Sequence, residues 1–346
     1  MPFTVIRWGL PGVWRPMVEI GWYRGFTVRV GGIQLIFDPE SSSAVGGGSH
    51  VFVSHAHADH VAGLRSRAQK YSTAETRNIF EGLNGRSALN FHEVRFKEPV
   101  RIGEVEVTPI NAGHMLGSAQ FLISTPNLTI LYTGDINCVD TLTTRNAVNI
   151  ECDILVMEAT YGDPTFIFPS REETYAEVVN WTINQVKKGL TPVFDVYAAG
   201  KAQELVRLFN LYTNLTVATD SKVAKVNRAY SESGLRLNYE ESDLGEMDGE
   251  FVYLAAQPNL SSKGRYVRAL ATGWALKMGS RRTAAFPLSS HADFNQLVKF
   301  VKGCGAKVVY TFTGYTATFT DFVERKLGLR SRPLPALSQR TLYDFY

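Results

Sequence analysis

The stretch FVSHAHADHVAGL, residues 52–64, places three histidines and an aspartate (His55, His57, Asp59 and His60) within six consecutive positions. Imidazole and carboxylate together suit Zn²⁺, with manganese or iron as alternatives. In His-x-His-x-Asp-His an extended backbone sends alternate side chains to one side, so His55 and His57 can grip one ion together. A chain that then turns into a helix can aim Asp59 and His60 at a second ion. Two more ligand-type residues follow, His114 in NAGHMLGSAQ and Asp135 in LYTGDIN. Gly113, Gly117 and Gly134 flank them and let backbone approach closely. Of the seven histidines only His50 and His92 lie outside such contexts, and His291 in LSSHADF lies inside one. A lone histidine is more often a hydrogen-bonded core or surface residue. A cluster with this many matched positions is a far more specific signal.

Such residues need elements to hold them, and strand signals alternate with helix signals along most of the chain. FTVRVGGIQLIFDPE reads as two strands around a Gly-Gly turn, and HVFVSH as another, followed by a helix opening near Asp59. VEVTPINAGH, QFLIST, NLTILYTGD and CDILVMEATYGD read as four more strands. REETYAEVVNWTINQVKKG has an acidic first turn, a basic last turn and a glycine after it, which marks a helix. TPVFDVYAAGKAQELVRLFNLY is strand, glycine turn, helix; NQLVKFVKGCGAKVVYTFTGY is helix, then strand. Asp38, His55, Asp135 and Glu158 each stand at a strand's carboxyl end, where sites form in open α/β sheets. Four such endings together point to one shared site. The middle, 165–283, has its own strand–helix alternation without a ligand-type histidine and reads as an inserted domain.

The chain has 346 residues, 45% hydrophobic, which suits one large core or two domains. No run of 18 apolar residues is present, so no membrane span is expected. The first residues lack a signal-peptide layout, and the three cysteines (Cys138, Cys152 and Cys304) are scattered and odd in number. A reduced, intracellular, cytoplasmic protein is expected. A net charge of +3 leaves any phosphate-binding surface to be local.

HAHADH, the upstream Asp38, NAGHMLGS and LYTGD resemble the metal motifs of the metallo-β-lactamase fold. EATYGD, AAGKAQEL and LSSHADF resemble the further motifs of its β-CASP nuclease branch, and the ligase-associated DNA exonucleases and mRNA 3′-end processing factor-like proteins look most similar. The resemblance runs from about residue 20 to 330. It implies an α/β fold: an αββα sandwich of residues 1–164 and 284–332 with a β-CASP domain inserted at 165–283. It also implies metal-dependent hydrolysis of nucleic-acid phosphodiesters, with one or two Zn²⁺ or with Mn²⁺. Carried over by motif, His55, His57, His114 and Asp135 would hold the first metal, and Asp59, His60 and a bridging Asp135 the second. Asp38 would orient the histidines from behind. Glu158 would fix the tautomer of His291, which would face the scissile phosphate and help the leaving group. Asp59 is also the local candidate for base. A bound metal lowers the pKa of water from about 15.7 toward 7 and neutralises phosphate charge.

The chain departs from the pattern at one position. RNA-processing members carry a further histidine ligand after the last strand, whereas this chain has Thr313 in YTFTGYTAT. In the family, a non-histidine residue here is associated with Artemis-like DNA repair nucleases, so a weak second metal site and a DNA substrate are expected. An RNA-processing nuclease, a non-catalytic adaptor and a small-molecule hydrolase are the alternatives. The nearly complete metal set argues against the adaptor, and the insertion and SSHADF argue against the small-molecule enzyme.

Phosphates could be held by Lys201 at a helix N-terminus, and by Lys277, Arg281 and Arg282 with Lys263, Arg265 and Arg268, lining a groove between domains. Tyr161 and Trp274 are candidates to stack on bases. The tail, 333–346, has Pro333 and Pro335 as a semi-stiff spacer before QRTLYDFY. Its Gln339, Leu342, Phe345 and Tyr346 look like the PCNA-interacting peptide: one turn of helix brings i, i+3 and i+6 to one side for an apolar pocket on a sliding clamp. Tethering to the clamp would raise the local DNA concentration and favour DNA over RNA. A compact nuclease of this build would suit an archaeon.

Overall fold

The computed structural model describes residues 6–8, 18–258, 265–278 and 283–334. The strands Ile6–Trp8, Val18–Trp22, Phe26–Val30, Ile33–Phe37, His50–Phe52, Gln69–Ser72 and Phe91–Glu93 form one sheet in that order. It is antiparallel up to Ile33–Phe37 and parallel beyond. A second sheet runs Val100–Ile102, Val105–Asn111, Ala119–Ser124, Thr129–Tyr132, Ile154–Ala159, Val308–Gly314 and Arg330–Pro333.

The period of two in the sequence decides how these sheets stack. Phe26, Val28 and Val30 of the first sheet, and Ile130, Tyr132, Ile154 and Val156 of the second, turn inward into one shared core. The alternate residues face outward and are covered by helices. Leu131, Leu155 and Met157 pack against Phe294, Leu297 and Phe300 of the helix Phe294–Cys304. Val51 and Val53 pack against Val61, Leu64 and Phe80. The layers are therefore helix, sheet, sheet, helix, the αββα sandwich expected from the motifs.

Between Ala159 and Val308 the chain builds a third, all-parallel sheet, ordered Glu240–Glu241, Thr216–Thr219, Phe251–Ala255, Thr191–Asp195, Tyr266–Ala271 and Ala284–Phe286. The helices Arg171–Lys187, Lys201–Tyr212 and Ser221–Glu232 cover it through Tyr175, Val178, Leu205, Phe209, Val223 and Tyr230. The first of these helices opens on a capping box, Ser170 with Glu173, which satisfies its end donors. Two expected boundaries move. Ala284–Phe286 pairs within the third sheet, so the insertion runs past 283. Pro333 completes the strand Arg330–Pro333 and Leu334 is buried, so the sandwich runs past 332. No helix among the described residues is long and apolar enough to cross a membrane.

Candidate metal centre

Loops at the carboxyl ends of the strands bring the ligand-type residues together. After His50–Phe52 the chain stays extended through Ser54–Ala56 and then turns. The helix expected near Asp59 is a short 3₁₀ segment, Val61–Arg65. Because that turn is tight, His60 points back toward Asp38 and Asp135 rather than out along a helix face. Gly134 is needed for the approach: its φ is +54, and a Cβ there would lie 2.7 Å from both Cβ and Oγ of Ser54.

The ligating atoms of His55, His57, His114 and Asp135 all lie within 4.8 Å of one another. His57 Nδ1 is 3.1 Å from both His55 Nε2 and His114 Nε2, and Asp135 Oδ2 is 3.4 Å from His55 Nε2. The opposite nitrogen of each ring has an acceptor of its own. His55 Nδ1 donates to Ser54 Oγ at 2.9 Å, His57 Nε2 to the Ala199 carbonyl at 3.2 Å, and His114 Nδ1 to the Ser290 carbonyl at 2.7 Å. With those protons committed, the three inward nitrogens present only lone pairs to one another. Lone pairs this close repel, and a cation between them reconciles the arrangement. The donor set of three imidazoles and one carboxylate fits Zn²⁺.

Asp38 stands behind this group and accepts four hydrogen bonds: from Ser54 N at 2.7 Å, Ser54 Oγ at 2.5 Å, His60 Nδ1 at 2.9 Å and Tyr132 O–H at 3.0 Å. His60 therefore directs Nε2 forward, 3.6 Å from Asp135 Oδ2 and 3.6 Å from Asp59 Oδ2. Those three atoms outline a second, more open position, since the Asp59 side chain is 81% exposed. On the far side His291 Nδ1 donates to both oxygens of Glu158 at 3.0 Å, and Glu158 also accepts from Ile136 N at 2.7 Å. The His291 ring lies 4.5 Å from that of His114.

The electrostatics agree with a cation site. Burial, then His60, His114 and other neighbouring imidazoles, hold His55 well below the usual histidine pKa, and burial lowers His57 to about 4, so these rings are neutral and able to ligate. Burial pushes Asp135 up to about 7. Burial also works against charge on His60, yet Asp135, Asp59 and Asp38 together raise its pKa well above the ordinary value. The acidic surroundings favour a positive charge at that spot, proton or metal.

The expected phosphate contacts fare differently. Lys201 is buried, its ammonium donates to the Leu288 carbonyl at 2.8 Å, and burial lowers its pKa to about 8. It is a strut inside the protein, not an exposed phosphate grip. Arg265 donates to the Lys188 carbonyl at 3.1 Å and Arg268 pairs with Asp195, so both are tied to the insertion itself. Lys277 is exposed, with its ammonium 4.2 Å from the Phe166 ring centroid. Tyr161 is a core residue packed on Phe166, Phe168 and Trp274, and Trp274 is half-buried in that cluster. Thr313 is exposed at φ +58, at the end of its strand. Lys263, Arg281, Arg282 and the tail residues Gln339, Leu342, Phe345 and Tyr346 lie outside the described residues.

Residues 30–187 match the β-lactamase superfamily domain. The chain carries a metallo-β-lactamase-fold domain. Among its relatives is a "Probable DNA ligase" of Opitutus terrae, 28% identical over 82% of this chain and 30% of that protein. An "RNase J-like protein" of Methanocaldococcus jannaschii is 31% identical over 47% of this chain and 43% of that protein. The chain thus spans less than half the length of either. A crystal structure of a protein of unknown function from Enterococcus faecalis V583 superposes with a TM-score of 0.62 at 16% identity, covering 94% of this chain and 98% of that one. At that identity the likeness speaks for the fold alone. The metallo-β-lactamase and β-CASP resemblance read from HAHADH, NAGHMLGS and LSSHADF is borne out by these relatives.

Three residues beside the His/Asp cluster escaped the sequence reading, Ser54, Tyr132 and Ser290, and so did Arg171, which joins the insertion to the returning chain. The first three act through a hydroxyl or a carbonyl and carry no type-specific signal. Arg171 did carry one, a cation in the first turn of a helix, where the dipole favours acids.

Proposed function

We propose that this chain is a metal-dependent phosphodiesterase acting on DNA ends. The observation that carries the reading is the converging set His55, His57, His114 and Asp135, with the His291–Glu158 pair beside it where the insertion returns to the sandwich. A divalent metal held by the four ligands would activate water and neutralise phosphate charge. Asp59, at the open rim, is placed to accept the proton that water gives up. Glu158 keeps the proton of His291 on Nδ1 in the neutral ring, and the acidic surroundings raise its pKa against the effect of burial, Glu158 contributing most. A protonated His291 can then donate from Nε2 to the leaving oxygen.

Two observations favour DNA. Thr313 supplies no imidazole where RNA-processing members of the family have one. The relative named as a DNA ligase matches 82% of this chain, against 47% for the RNase J-like protein. In this reading Asp59, His60 and Asp135 form the weaker second metal position, and the tail residues Gln339, Leu342, Phe345 and Tyr346 dock on a sliding clamp in an intracellular setting. The deciding experiment offers matched 5′- and 3′-labelled DNA and RNA to the full chain with Zn²⁺ or Mn²⁺. Degradation of DNA with RNA left intact is the expected outcome. RNA cleavage alone would establish the RNA-processing reading, and no cleavage of either would remove the nuclease assignment.

A further inference from the structure

Four consecutive residues on the returning chain are each fastened to a different partner. The Leu288 carbonyl accepts from Lys201 Nζ at 2.8 Å. The Ser289 carbonyl accepts from both terminal nitrogens of Arg171, at 3.0 and 2.8 Å. The Ser290 carbonyl accepts from His114 Nδ1 at 2.7 Å, and His291 Nδ1 donates to Glu158. The first two fasteners belong to the insertion; the last two belong to the metal centre.

Arg171 is the better built of the insertion's fasteners. Its side chain is 10% exposed, and Glu204, itself 2% exposed, accepts from Nε at 2.9 Å and from Nη2 at 3.3 Å. Tyr175 O–H, one turn along the same helix, donates to Glu204 as well. A fork held on one edge by a carboxylate has a fixed direction and aims its remaining N–H groups at one carbonyl. Arg171 also occupies the first position of its helix, where a cation is disfavoured by the dipole, so helix formation does not explain its presence.

We propose that Arg171 is a positioning residue for the metal centre. By clamping the Ser289 carbonyl it holds the next carbonyl, Ser290, against His114 and so keeps His114 Nε2 turned toward His57 and Asp135. It holds His291 over Glu158 by the same clamp. The insertion thereby sets the geometry of a ligand that belongs to the sandwich. The inference rests on the metal-dependent reading above, but its first test needs no substrate.

Replacing Arg171 alone would strand Glu204 as a buried, unpaired charge, so the test uses the double variant Arg171→Met/Glu204→Gln in the full chain. Zn²⁺ affinity is measured by competition with a chromogenic chelator, and circular dichroism checks the fold. The expected result is a native spectrum with Zn²⁺ bound roughly 10–100-fold more weakly. In nuclease assays kcat should fall while KM for the nucleic acid stays within about twofold, because the Arg171 side chain is largely buried against Glu204 and the Ser289 carbonyl. Unchanged Zn²⁺ affinity and kcat overturn the proposal, and so does a raised KM with unchanged Zn²⁺ affinity. If the double variant does not fold, Arg171→Lys decides. A lysine keeps the charge and loses the fork, so Zn²⁺ binding between wild type and the expected loss supports the proposal, and wild-type binding overturns it. Wild-type protein that binds Zn²⁺ tightly yet cuts no nucleic acid would count against the function alone.

Discussion

Asp38 is the position where fold and metal binding can be separated by choice of replacement. Its carboxylate can only accept, so in the neutral ring His60 Nδ1 carries the proton and Nε2 is the lone pair facing Asp135 and Asp59. Asp38→Asn keeps the size, tolerates the left-handed backbone at φ +44, and can still accept from Ser54 N–H. Its amide nitrogen then faces His60 and donates to Nδ1, which moves the ring proton onto Nε2, the atom that should ligate. Metal at the His60 position should weaken by roughly 10–100-fold, with a smaller loss of stability than alanine causes, because the Ser54 N–H keeps its acceptor while the Ser54 and Tyr132 hydroxyls, which face the same atom as His60, lose theirs. Asp38→Ala instead leaves the Ser54 N–H and O–H, the Tyr132 O–H and the His60 N–H without their acceptor. At about 1–3 kcal/mol for each orphaned buried donor, and about 1 kcal/mol for alanine in the left-handed region, the loss is on the order of 5–13 kcal/mol, comparable to a whole domain's stability margin. Urea unfolding followed by circular dichroism gives the midpoints, and chelator competition gives the affinities. The reasoning fails if Asp38→Asn binds its second metal equivalent as tightly as wild type, or if Asp38→Ala is as stable as Asp38→Asn.

Protein purified without chelator and dialysed should retain about one metal per chain, because among the described residues only His55, His57, His114 and Asp135 make a converging set of four; two zincs surviving dialysis would contradict this. His291→Ala should cut turnover by roughly 10²–10⁴-fold, and a fully active variant would remove His291 from the chemistry. A chain ending at Leu337 should lose binding to the sliding clamp of its own organism in calorimetric titration while keeping its activity on free DNA ends. Equal binding by the full and shortened chains, or none by either, would remove the clamp from the reading.

The sandwich and its His/Asp cluster were legible because their signals are local. HAHADH is one unbroken stretch, and the period-two strands Phe26–Val30 and Thr129–Tyr132 state which side chains face inward. What escaped was long-range. Lys201 reads as a phosphate contact because lysine is rarely buried, yet the Leu288 carbonyl, distant in sequence, draws it inside. Tyr161 follows a strand end in the sequence as a stacking residue would, and only the packing of Phe166, Phe168 and Trp274 around it shows that it belongs to a core. The insertion's end at 283 was misplaced because Ala284–Phe286 is three residues long, too short to show a period. The helix read near Asp59 failed for a similar reason: a single turn and a 3₁₀ segment share their first residues' composition with a helix.

The parallel pairing of Ile154–Ala159 with Val308–Gly314 has a kinetic consequence. These neighbours meet only after the whole insertion has been traversed, and closing an unstructured loop on the order of 150 residues costs about 4 kcal/mol of chain entropy. An insertion that has already folded, with its ends near each other, behaves like a loop of roughly ten residues and costs about 2 kcal/mol. The economical order is therefore insertion first, strand pairing second. Ser290 and His291 arrive with that second event, so His114 and Glu158 wait for their partners until the final step. A chain stalled before it would have most of its secondary structure and no finished centre, and the ability to hold metal firmly would report the last stage of folding.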